Sequence, residues 1–254
     1  MKNKRHIVRI AISALFIAIS IILTRFFVFP YGPTPFRLTL GNVPIILGGI
    51  LFGPLYGGII GFGADIIGAN LFPSGTFLVF PFISSILYGV IPGFFFLLIR
   101  KIREKNNFPF VYPFVITLFA VAIIYFSMQS SIKYPFSFAN DAVWTLDNTT
   151  KIITITIAIL VVTGLLFALF FLEKRLKKRD TYKNVLPSDY ALTIIVTELV
   201  VDVIYTPIWK NLYFGMPYLF SLFMHITILL TLLLFKTTLI NLIAYSFKKS
   251  NIDI

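Results

Sequence analysis

Cysteine is absent from the 254 residues, so disulfides, thiolate metal sites and cysteine nucleophiles are excluded by inventory. Histidine occurs only as His6 and His225, which leaves no H-E-x-x-H pair and no histidine-rich metal cluster. No glycine is followed by lysine, so the chain has no Walker A loop and does not hydrolyse ATP through one. No metal and no cofactor are expected. Charge is scarce too: 13% of residues are charged, against roughly 25% in a soluble domain.

What remains is apolar. Hydrophobic residues make up 58% of the chain, with 29 Phe and 12 Tyr, and the mean hydropathy is +0.91. The net charge of +12 would suggest a nucleic-acid partner in a polar protein. Here the basic residues fall in short runs between long apolar stretches, which is the pattern of an all-α integral membrane protein. A bilayer core takes about 20 apolar residues as helix, because no backbone polar group can face lipid unpaired.

Apolar helices are expected at 7–29, 38–52, 55–72, 76–99, 108–132, 152–172, 190–209 and within 217–247, about eight spans. The 62 residues from 38 to 99 carry one charge, Asp65, and are punctuated at Gly53-Pro54 and Phe72-Pro73-Ser74-Gly75, which divides them into three helices. The helix at 38–52 is short enough to be tilted, recessed or preceded by an ordered loop. Four basic runs stand at 2–9, 100–105, 174–183 and 248–249. Between successive runs lie four, two and two spans, all even, so every run falls on one side. Since cytoplasmic loops carry the Lys/Arg excess, both termini are expected in the cytoplasm.

Three carboxylates lie at bilayer depth: Asp65, Glu198 and Asp202. An ionisable group there costs on the order of 3 kcal/mol unless it is paired or wetted. Glu198 and Asp202 are four apart, on one helical face, and that face continues to Tyr205, Thr206 and Trp209. The alternative is pairing with a Lys or Arg of a neighbouring helix, which would only secure packing. Arg37 follows the turn-prone Tyr31-Gly32-Pro33-Thr34-Pro35-Phe36, where its guanidinium could clamp a carboxylate. Arg25 and Lys210 stand at the same level, with snorkelling to headgroups the plainer role for each. Ala11, Ala14 and Ala18 put small residues on the first helix, and Gly49, Gly53, Gly57 and Gly61 repeat every four residues; both patterns permit close helix approach.

The segments Phe36-Arg37-Leu38-Thr39-Leu40-Gly41-Asn42-Val43-Pro44-Ile45, Leu51-Phe52-Gly53-Pro54-Leu55-Tyr56-Gly57, Gly63-Ala64-Asp65-Ile66-Ile67-Gly68-Ala69 and Tyr88-Gly89 go together. With Glu198-Leu199-Val200-Val201, Thr206-Pro207-Ile208-Trp209 and Leu212-Tyr213-Phe214-Gly215, the chain resembles the folate-family substrate-binding subunits, or S components, of energy-coupling factor (ECF) vitamin transporters. The likeness covers about 7–100 and 190–247.

The resemblance implies a six-helix bundle that captures a vitamin from outside. It also implies docking through the Ala11, Ala14 and Ala18 face onto a transmembrane scaffold subunit, which carries two ATPase subunits. The departure is 105–183, read as an inserted two-helix hairpin within a single membrane domain whose family-like core is 1–104 and 184–254. A folate-like solute has a pterin edge that needs an acceptor, a flat ring and a carboxylate-bearing tail. The expected site has Asp65 or Asp202 on the pterin edge, with Asn42 and Asn70 adding neutral hydrogen bonds. Phe36, Phe77, Tyr205 and Trp209 would stack on or enclose the ring, and Arg37 would hold the tail. Two other readings stay open: an S component for another vitamin, and an intramembrane enzyme using Glu198 and Asp202 for acid and base work.

Overall fold

Helix α1 (Lys2–Arg25) buries Ser13, Phe16, Ser20 and Ile21 and leaves Ala11, Ala14 and Ala18 exposed on another face. The spacing of the buried set is that of one helical stripe. The computed structural model describes residues 2–30, 36–73, 79–105, 133–135, 143–145, 148–177 and 187–249, and these are mostly helical.

After α1 the chain forms a short antiparallel ladder, β1 (Phe29–Pro30) against β2 (Arg37–Leu38). The helix expected at 38–52 therefore starts later, as α2 (Asn42–Phe52). Two hydroxyls shape the join: the Gly41 N–H donates to Thr39 Oγ1 at 3.1 Å, and Ser20 Oγ donates to the Gly41 carbonyl at 2.7 Å. At 11 residues, α2 is only about 16 Å long, and it is apolar and buried almost all round. It is a core helix preceded by an ordered loop.

The break expected at Gly53-Pro54 is present. Gly53 adopts φ 93°, which glycine tolerates without a Cβ penalty, and Pro54 opens α3 (Pro54–Leu71) where its missing N–H is harmless. Helix α4 (Val79–Lys105) follows, running on through the basic residues past its expected end at 99. Helices α2, α3 and α4 pack through glycine. A Cβ on Gly89 would lie 1.9 Å from the Gly57 carbonyl oxygen, and one on Gly61 would lie 2.0 Å from that of Ser85. Gly49, Gly57 and Gly61 of the repeat thus bring backbones into direct contact, while Gly53 forms the break between two helices.

Of the proposed insertion, the stretch 108–132 lies outside the described residues. A second ladder pairs β3 (Lys133–Pro135) with β4 (Val143–Thr145). The stretch 152–172 lies within α5 (Asn148–Lys177), which packs on two of the C-terminal helices.

The C-terminal part comprises α6 (Pro187–Glu198), a π-helical segment (Leu199–Tyr205), α7 (Thr206–Phe214) and α8 (Tyr218–Lys249). The π segment has a local cause. Pro207 has no N–H to give its i−4 carbonyl, and Thr206 instead returns to Val201, its N–H and its Oγ1 both donating to that carbonyl, the latter at 2.8 Å. Among the described residues three helices are long and apolar enough to cross a membrane, at His6–Arg25, Val79–Ile102 and Pro187–Phe214. Phe220–Leu229 and Thr231–Phe247, bent by 41°, make a fourth if taken as one span.

Candidate functional site

Where the β1–β2 ladder meets the bundle, β2, α2, α4, the π segment, α7 and α8 enclose a cavity of about 340 Å³. That size is within the range of small-molecule sites. Five of the residues expected in a site line it: Phe36, Arg37, Asn42, Asp202 and Trp209. The sequence reading did not place Tyr88, Lys210, His225 and Lys236 there, yet they line it too.

The wall is a connected polar system. Tyr88 donates its hydroxyl proton to Asp202 Oδ1 at 2.5 Å. Asn42 Nδ2 donates to Glu198 Oε1 at 3.4 Å, and the Lys236 ammonium donates to the same oxygen at 2.5 Å. Glu198 and Lys236 are 0% and 2% exposed, a fully buried ion pair. For Glu198, then, the alternative of pairing with a neighbouring helix is the one realised. Two further buried polar atoms, Asn42 Oδ1 and Trp209 Nε1, make no hydrogen bond. Both side chains line the cavity.

Glu198 and Asp202 stand where α6 passes into the π segment, near enough to act on each other. Glu198 turns fully into the core against α8, whereas Asp202 stays half-buried and reaches the cavity. Tyr205 leaves the cavity lining and donates to the Phe80 carbonyl at 3.2 Å. Asp65 is likewise not in the lining; on the α3 face towards α1, it interacts with Arg25. Asn70 is exposed and donates to the Ile66 carbonyl of its own helix at 2.8 Å. Phe77 lies outside the described residues.

Lys210 does not snorkel. It is 5% exposed, its ammonium 3.9 Å from the Phe36 ring centroid and 3.4 Å from His225 Nε2. Phe36 itself is wedged edge-on between Phe220 and His225, so it forms a fixed aromatic wall. The sequence did carry a signal for Lys236: it is the one Lys, Arg, Asp or Glu between 217 and 247. The reasoning applied to the three carboxylates, that an intramembrane charge demands an explanation, applies to it equally.

An apolar helical bundle enclosing a cavity with an anion, cations and aromatic walls defines a small-molecule-binding membrane protein. Residues 8–172 match the family model for the ECF transporter, substrate-specific component, and the chain belongs to that family. Its role is to bind substrate for a transporter, which sets aside the intramembrane enzyme. A curated relative, the folate transporter FolT of Clostridium novyi (strain NT), is 35% identical over 82 residues, which are 30% of this chain. The match spans 46% of that relative's length. A crystal structure of FolT bound with folic acid superposes over 93% of this chain and 95% of that one, at 16% identity and a TM-score of 0.49.

Proposed function

We propose that this chain is the folate-binding S component of an ECF importer, taking folate or a related pterin from outside the cell. The observation that carries this reading is the cavity itself, which offers a carboxylate, aromatic walls and cations together. Of the two carboxylates expected to serve the pterin edge, Asp202 takes the role, since Asp65 is not in the lining. Tyr88 holds Asp202 in place, and Asn42 Oδ1 and Trp209 Nε1 add an acceptor and a donor. Phe36 and Trp209 enclose the ring, and Arg37, exposed on β2, meets the anionic tail at the mouth. The 35% identity to a folate transporter supports the choice of ligand.

The protein spans the plasma membrane several times, about eight if α2 and the loop before it count as one crossing, and the even intervals between basic runs support cytoplasmic termini. It docks on a transmembrane scaffold served by two ATPase subunits, and the exposure of Ala11, Ala14 and Ala18 supports that face as the contact. The test is thermal stability and calorimetric titration of the detergent-purified protein with folate, reduced folates, riboflavin, thiamine and biotin. A ligand that binds only the folded form raises the melting temperature. A folate response that disappears in Asp202→Asn is expected; a response to another vitamin alone keeps the family and discards the substrate.

A further inference from the structure

The bundle buries two lysines against the same cavity and treats them differently. Lys236 is matched by Glu198. Lys210 has no such counterpart. Its neighbours are the Phe36 ring and His225 Nε2. His225 Nδ1 lies 2.8 Å from the Ser221 carbonyl, which can only accept, so the ring proton sits on Nδ1 and Nε2 offers Lys210 a lone pair. An imidazole in that form and a ring face orient an ammonium without neutralising it.

Among the described residues no carboxylate forms an ion pair with Lys210. Glu198 is held by Lys236. Asp202 acts on Lys210 without forming an ion pair with it and is engaged by the Tyr88 hydroxyl. An ammonium this deep is costly unless an anion comes close. Lys210 lines the cavity wall.

We propose that Lys210, oriented by His225 and Phe36, is the seat for a carboxylate of the bound solute, and that it sets the requirement for an anionic ligand. Arg37, exposed on β2 at the mouth, is a second cation for the anionic part of the solute. The assignment rests on the cavity being the solute site, as read above, but not on the solute being folate. Lys210 is then a binding residue, and His225 a positioning residue that acts through it.

The experiment compares wild type, Lys210→Met, Lys210→Gln and His225→Phe in detergent, with folate and a tail-less pterin as ligands and the melting temperature of the ligand-free protein as a second readout. Truncating one side of a buried charge contact is expected to lower folate affinity about 30-fold or more, with pterin affinity unchanged. Ligand-free Lys210→Met should melt at or above wild type, because a buried charge lacking a protein counterion has been removed. His225→Phe should lose part of the folate affinity and none of the pterin affinity. If Lys210→Met fails to fold, Lys210→Gln carries the comparison.

Equal losses for both ligands, or none for folate, would overturn the seat. If wild type ignores folate but binds biotin in a Lys210-dependent way, the seat stands and the folate reading falls. Binding of riboflavin alone, which has no carboxylate, removes the seat and leaves the cavity as a vitamin site.

Discussion

Helices α2 to α4 and helices α6 to α8 hold together by different means. In the first group, glycines let backbones touch: a Cβ on Gly49 or Gly57 would come within 2.2 or 2.3 Å of the Gly89 carbonyl oxygen. In the second, buried polar groups do the joining, with Glu198, Lys236, Thr206, Lys210 and His225 all nearly inaccessible. Lipid offers no hydrophobic drive for helix association, so close packing and polar contacts are the two available means. A glycine seam is rigid and chemically blank. A polar seam can read a ligand, and the cavity opens where the two groups face each other.

The comparison can be broken most forcefully at the ion pair. Lys236→Met leaves Glu198 buried and unmatched, an expected loss of about 3–5 kcal/mol in unfolding free energy. The double variant Glu198→Leu/Lys236→Met should recover most of it in the same denaturation assay. A double variant as unstable as the single one would make Lys236 a packing residue and its charge incidental.

The glycine seam should respond next. Gly89→Ala forces a Cβ against the Gly57 backbone and is expected to cost about 1–3 kcal/mol, read as a lower melting temperature. Gly164→Ala on α5, where nothing lies within 4 Å of the added Cβ, should be neutral or slightly stabilising. Equal effects at the two positions would remove close backbone packing as the reason for the seam.

Smaller effects sharpen the site. Arg37→Ala should weaken folate about tenfold, or 1.4 kcal/mol, while a tail-less pterin binds as before; loss of both would deny Arg37 the tail. Asp65→Asn should leave affinity within about twofold, the scale of a change remote from the contact. A loss of tenfold or more in calorimetry would return Asp65 to the site.

Much of the fold was legible because its signals are local. The break at Gly53-Pro54 needs only a glycine that can take positive φ and a proline suited to a helix start. The density of glycine at 48–61 signals close helix packing before any partner is known. The start of α2 was misjudged because a strand pairing with Phe29–Pro30 depends on residues well before it. The four-residue spacing of Glu198 and Asp202 brings them near each other, but it does not tell that Glu198 pairs with Lys236 while Asp202 lines the cavity.

The composition and the spacing of charges determined by themselves that this is a helical membrane protein with costly ions inside it, since hydropathy and charge are properties of the residues alone. Which ion meets which was decided only by the tertiary structure. Glu198 lies 38 positions from Lys236, and Tyr88 lies 114 positions from Asp202, so no local pattern encodes either contact. Asp65 and Asp202 look alike in the sequence; packing set one against Arg25 and gave the other the cavity. The physical reason is that a charge in an apolar surround takes its role from what stands within a few ångströms, and that neighbourhood exists only once the helices have assembled.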